Sequence, residues 1–530
     1  MFTKKVSDQF KPETVPAPVQ GLNAYDSIVA MQEGYAITLQ NWWPQPYGCS
    51  FRKGYVQWAT GFPSSVQSLA TWFGTTAGTK KLFAWSLASM YDITTRGAIG
   101  AASVTGLTNA SWESVCYTNS AGSRMIAVNG ADNGITYTNA GGVQRITVGD
   151  GIVINTWAGL SPLNAVQLTV HQKRLWAVKK DTTEGWYLPP DAFQGTFAKF
   201  DFGPQFKKGG FLQYLTTWTL DDGNGAEDHL LAMSSQGEAV VYSGTDPTDS
   251  TKWGLVGVFF VGTPLAGRRG FTKAGGDVLL LTQQGVISMT EELTSVRVTQ
   301  ATQPLQSKKI QFLVSDLASN YGTLTGWELR YVPSINMVLV NVPSVSAGGN
   351  IQLAANQITQ AWTLFSNMDA TCWSVFDELP YFGSFDGVVY QAWTGFSDKV
   401  LLDNTGGEGV TTIVQQAYTY FGGRSNNKQV GMYRPTFVAS GEVGYNCSIV
   451  YDFADKDVAT PNVGPGNPDS LWGTGLWGTG RWGGGSGVEQ TWIQGEGMGI
   501  AISLKMVAQS ISEVLWASTD YSVIQTRGIL

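Results

Sequence analysis

The chain has 530 residues and a mass of 57.1 kDa, enough for two to four ordinary domains or for one large repetitive β domain with appendages. Only 14% of its residues are charged, against roughly 25% in an average soluble protein, which points to surface covered by other chains. The net charge of −7, with no Lys/Arg run longer than a pair, argues against a grip on phosphate backbones, while an acidic wall stays compatible with a polyanion sliding past.

Residues 1–60 come first, with Pro12, Pro16 and Pro18 setting an extended arm before the first strands, an arm suited to reaching a neighbouring chain. The opening stretch carries Lys4 and Lys5 but no apolar run, so a secretory signal is not expected and synthesis in a reducing cytoplasm is. The most apolar stretch, 255–266, is broken by Gly257, Gly262 and Pro264, and no stable membrane insertion is expected.

Residues 61–402 are read as a β-propeller. Helical periodicity is scarce, and one unit recurs: an apolar strand, a polar Gly- or Asn-containing turn, and a second strand ending in Tyr or Trp. Seven copies start at Lys81, Met125, Arg174, His229, Asp277, Met337 and Leu379, 42 to 60 residues apart, near the ~40–50 residues of a four-stranded blade. A lone hairpin cannot bury both its faces, whereas radial stacking gives each blade two neighbours. An all-β fold with about six to seven blades is the expectation, and a sandwich or barrel built from the same hairpins is the alternative. After Leu402 the segment DNTGGEGV reads as a linker, and residues 403–530 form a second β region whose final strands lie in GMGIAISLKMVA and SEVLWASTDYSV.

Within that region Trp472, Trp477 and Trp482 repeat every five residues among glycines, the period of neither helix nor strand. The run 471–485 contains GxGxxG twice but lacks the strand, helix and distal acid of a dinucleotide site, so no cofactor is assigned. Its tryptophans are read as anchors at a domain or subunit contact, or as packing within the chain.

Other constellations are weaker. DNGITY, Asp132–Tyr137, resembles the Asp-box turn of sialidase-type propellers, which is structural. DDGNGAED, Asp221–Asp228, clusters oxygens but misses the order of a calcium loop, and a solvated turn is preferred. His171 and His229 are the only histidines, ruling out HExxH and leaving little for a His-based triad, and both are read as blade residues. Cys49, Cys116, Cys372 and Cys447 show no metal spacing, so no metal site is assigned. No GxSxG elbow or P-loop is present, and an enzyme is not expected, although paired carboxylates for glycoside cleavage remain open.

Several segments together resemble the nozzle or tail tubular proteins of short-tailed bacteriophages and prophages: 21–62, KLFAWSLASMYDI, 237–289, 361–393, and the Trp run with the closing GIL. The resemblance covers most of the chain and rests on the number and order of segments, none of which is a catalytic signature. It implies a structural subunit of the virion tail, copies of which form a hexameric ring below a portal and adaptor, with fibres or spikes and a plug or needle protein as further partners. DNA would pass through the channel without sequence-specific binding. Six copies at −7 carry −42, suited to slip. The propeller would lie outside as a buttress while the terminal β regions build the tube. The alternative is a glycan-binding or glycan-hydrolysing propeller acting in host adsorption.

Overall fold

The computed structural model describes residues 11–221, 226–294, 305–346, 348–461 and 487–525. They form two compact units: Gln57–Gln352 with Asn367–Gln391, and Met1–Val56 with Leu353–Ser366 and Ala392–Leu530.

The first unit is a β-propeller. Five antiparallel blades follow in chain order. Blade 1 is Val66–Phe73, Lys80–Ser86 and Ser89–Asp92; blade 2 is Glu113–Asn119, Gly122–Val128, Gly134–Thr138 and Gly142–Val148. Blade 3 is Ala165–His171, Arg174–Lys179, Glu184–Tyr187 and Ala198–Asp201; blade 4 is Leu212–Asp221, Ala226–Ser234, Glu238–Gly244 and Trp253–Phe260. Blade 5 is Phe271–Ala274, Asp277–Thr282 and Gly285–Ser288. Two further sheets complete the ring. The sixth begins with Glu328–Val332 and Met337–Val342, and the seventh joins Ala370–Phe376, Leu379–Ser384 and Val389–Ala392 to the early strand Tyr55–Thr60. Each innermost strand packs on the next blade, and Ala370–Phe376 packs back on Val66–Phe73, so the circuit closes.

The seven predicted hairpins are the second and third strands of these seven sheets. Their second strands are apolar on both faces because both faces are covered. In blade 2, Met125 and Ala127 pack on Phe83 and Trp85 of blade 1, while Ile126 and Val128 pack on Leu175 and Ala177 of blade 3. In blade 3, Trp176 and Val178 turn the other way, onto Leu230 and Ala232 of blade 4. The pattern repeats with Leu231 and Met233 on Val278 and Leu280. Period-2 alternation here chooses between neighbours, not between core and water.

Helix is a minor component: Gln311–Tyr321 is its longest piece among the described residues, placed between blade 5 and the sixth sheet.

The second unit has two sheets with longer strands. In one, Lys428–Ala439 and Val514–Gln525 run antiparallel, register Lys428↔Gln525 to Ala439↔Val514. In the other, the order is Ala361–Phe365, Tyr35–Gln40, Glu408–Gln416, Ile502–Ser510 and Gly444–Tyr451. Within Glu408–Gln416, half-buried and buried residues alternate from Gly409 onward, the signature of a sheet with one covered face. Arg52 knits this unit internally: its guanidinium meets both Asp398 oxygens at 2.7 and 2.6 Å, Asn41 Oδ1 at 2.9 Å, and the carbonyls of Lys53 and Ser366. All five N–H donors are thereby used.

The division differs from the expected boundaries of 1–60, 61–402 and 403–530. The two ends of the chain fold together, and 353–366 leaves the propeller sequence to join them. The proline-rich arm is held within its own chain, because Lys11–Pro16 pairs antiparallel with Val514–Gln525, from Lys11↔Val523 to Pro16↔Ser518. Pro12 and Pro16 are tolerated there because the strand has no other partner in the sheet among the described residues, so no ladder donor is lost.

Candidate functional site in the propeller axis

The innermost strands begin around a cavity of about 850 Å³ inside the propeller. Gln67, Glu113, Val166, Gln213 and Thr371 come from the starts of five such strands, and Arg268, Arg269 and Trp327 come from the segments entering two others. A cavity to which every sheet contributes in this way lies on the axis of the wheel.

Arg269 crosses that axis. It leaves the chain just before blade 5 and reaches blades 1 and 2, where Nη2 donates to Ser68 Oγ and to the Trp112 carbonyl, both at 2.7 Å. Nε meets Glu113 Oε1 at 2.6 Å, and Nη1 lies 3.6 Å from Glu328 Oε2 and donates to the Gln67 carbonyl. Burial alone would weaken its hold on the proton, but Glu113 and Glu328 reverse this and raise its pKa above the ordinary arginine value. Glu328 is fully enclosed; it also takes Arg330 Nε at 2.5 Å and the Trp373 amide at 3.0 Å. Both carboxylates beside the cavity are thus held by arginines.

Arg268 differs from its neighbour. One nitrogen, Nη1, donates to the carbonyls of Leu212 and Gln213, and the guanidinium stands 5.6 Å from the Phe211 ring. Among the described residues no carboxylate lies within ion-pair distance, and Nε and Nη2 have no protein acceptor. Burial lowers its pKa, with Asp181 and Glu113 opposing from a distance.

Neither arginine was singled out from the sequence. The available signal was that Arg268-Arg269 is the only Arg-Arg pair in a chain poor in charge, set between Gly267 and Gly270. Trp472, Trp477 and Trp482 lie outside the described residues. In DNGITY, Asp132 accepts from the Thr108 amide and hydroxyl at 2.8 Å and from Asn129 Nδ2 at 2.7 Å, bracing a loop of blade 2. Burial works against its charge, but these hydrogen bonds hold its pKa below the usual carboxylate range. DDGNGAED falls partly outside the described residues; its Asp228 accepts from Thr219 Oγ1 and Gln172 Nε2.

His171 and His229 both stand in blade strands. The Thr217 hydroxyl donates to the His229 carbonyl at 2.8 Å, so His171 Nδ1, 2.8 Å from that hydroxyl, carries the hydrogen between them. Burial lowers the His171 pKa to about 4 and keeps the ring neutral. All four cysteines are free thiols, and burial pushes Cys372 up to about 12. Among the described residues no group of three or more His, Cys, Asp or Glu side chains is placed to hold a metal ion, and no helix is long and apolar enough to cross a membrane.

No protein-family model matches the chain, and no curated protein matches it. Solved structures similar to it include BBS1N in complex with ARL6DN, soaked with lead, at 9% identity over 65% of this chain and 98% of that one, TM-score 0.38. The same complex soaked with mercury gives 9% identity over 65% and 98%, TM-score 0.39. The Myceliophteria thermophila Cps50 (Swd1) β-propeller domain gives 10% identity over 63% and 100%, TM-score 0.35. Likeness at this level says nothing of partners or activity.

Proposed function

We propose that the chain is a structural subunit of a short-tailed phage tail nozzle, six copies forming a ring that extends the DNA channel below the adaptor. The observation that carries this reading is the division of the β structure into two kinds. One unit is a propeller whose axis Arg269 crosses, unsuited to passing a duplex. The other gathers strands of up to 12 residues from both ends of the chain, with one covered face, the material of a tube wall.

Surface chemistry supports the reading. Val148, Ile152, Val153 and Ile154 are exposed on one loop of blade 2, where Asp150 Oδ1 accepts the Ile152 amide at 2.9 Å and the Val153 amide at 3.2 Å. A rigid apolar loop in a chain this poor in charge suits a contact with another protein. The function is geometric: assemble, dock on an adaptor, retain DNA, and open on adsorption. Electron microscopy of the purified protein and of tail particles tests it. Sixfold rings are the expected result, and monomers at every concentration, with no corresponding ring on tails, would overturn it.

The second reading, a glycan-acting propeller, is favoured by one observation, an axial cavity that mixes amide and hydroxyl side chains with aromatic and aliphatic ones. Because Glu113 and Glu328 are both occupied by arginines, the arrangement supports binding rather than hydrolysis, which needs one carboxyl free to donate a proton.

A further inference from the structure

We infer that the axial cavity of the propeller binds an acidic saccharide, with the outer edge of the Arg268 guanidinium receiving its carboxylate and the side chains around it receiving its hydroxyls. The inference rests on the binding reading of the cavity and not on the ring, since a monomer with this cavity would take the same ligand.

Charge comes first. Two arginines against one glutamate line the cavity, in a chain whose net charge is −7. Arg269 is consumed by Glu113 and Glu328, which leaves Arg268 as the uncompensated cation. Its fork is held in place through Nη1 by two backbone carbonyls, so Nε and Nη2 present a fixed pair of donors at no further ordering cost. That geometry matches the two oxygens of a carboxylate.

The remaining wall decides what the carboxylate is attached to. Gln67, Ser111, Gln236, Thr323 and Thr325 are exposed to the cavity and make no side-chain hydrogen bond to the described protein. Amides and hydroxyls both donate and accept, as sugar hydroxyls do. The Phe211 ring beside Arg268 offers an apolar face for a sugar ring. The volume of about 850 Å³ lies within the range of small-molecule sites and holds a short oligosaccharide.

The test titrates the full chain at low salt with trigalacturonate, with maltotriose as the neutral counterpart and with a blocked triglutamate peptide, read by calorimetry and by saturation-transfer NMR. Trigalacturonate is expected to bind about ten-fold or more tightly than maltotriose, which lacks the carboxylate for Arg268, and more tightly than triglutamate, which lacks the hydroxyls for the surrounding side chains. Arg268→Gln should weaken it by a similar factor with an unchanged circular dichroism spectrum. If that variant unfolds, Gln236→Ala and Thr323→Val, both at exposed positions, decide the matter by a several-fold loss. No binding, equal binding of maltotriose, tighter binding of triglutamate, or affinity indifferent to these variants would each overturn the inference. Rings in micrographs would bear on none of these outcomes.

Discussion

Two buried cations and one buried imidazole set the residue-scale behaviour. Replacing Arg269 with Met leaves Glu113 and Glu328 without their shared cation beside the axial cavity, with Ser68 and the Trp112 carbonyl deprived of their donor. Breaking one side of a buried pair costs roughly 3–5 kcal/mol, and equilibrium urea denaturation should show a loss of that size. In the other unit Arg52→Met should cost a comparable amount, since Asp398, whose pKa burial raises against the pull of Arg52, would lose both charge-assisted bonds. His171 makes a pH prediction. Its folded pKa of about 4 lies below the ordinary 6.5, so between these values the unfolded chain binds the extra proton. Its contribution is complete above pH 6.5 and falls away as pH drops towards 4, by roughly 3 kcal/mol in all. The difference in stability between wild type and His171→Gln, measured from pH 7 to 4, should shrink by about that amount. A constant difference would show that the ring does not resist protonation. The axial arginines were hard to read beforehand because their meaning depends on strands from opposite sides of the wheel.

Blades stand or fall through their two-sided second strands. Leu231 and Leu280 are fully buried on facing blades, and truncating either to Ala should cost about 2–5 kcal/mol. Because they share one cluster, the double variant should depart from additivity. Leu87, at an exposed turn of blade 1, should change stability by no more than about 0.5 kcal/mol on the same substitution, and differential scanning calorimetry of the three variants checks the contrast. The same strands explain why the hairpins were legible. Runs such as MIAV, LLAM and VLLL are continuous because both faces are covered, and that continuity stands out between polar turns. An innermost strand such as ESVCYTN was not legible, since Tyr117 is the one buried residue in it and no apolar run marks the strand. Several turns also lacked the usual glycine or asparagine: Gln172-Lys173 and Asp377-Glu378 both adopt left-handed backbone, the pattern of a type I′ hairpin, with neither residue present. The helix Gln311–Tyr321 was missed because it is a short insertion in an otherwise β pattern.

At the scale of the molecule, the partition of the chain was the least legible feature. Propensity and periodicity find strands, but they do not say which distant strands share a sheet. Lys11–Pro16 looked like a free arm because prolines argue against a central strand, and an edge position removes the objection. Deleting residues up to Pro16 should bare one side of Val514–Gln525 and unseat Val15, which is buried. A lower unfolding temperature and self-association on size-exclusion chromatography are the expected results. Unchanged melting and elution would mean that the pairing contributes nothing.

The seventh sheet also dictates a timetable. Tyr55–Thr60 emerges from the ribosome before any blade exists, yet the strands it joins, in 370–392, are among the last of the propeller to be made. Through most of translation its edge must wait unpaired, and closure then demands a long-range encounter of the kind that slows folding and invites aggregation. Efficient production should therefore depend on elongation speed and chaperone supply more than on the equilibrium stability of the finished wheel.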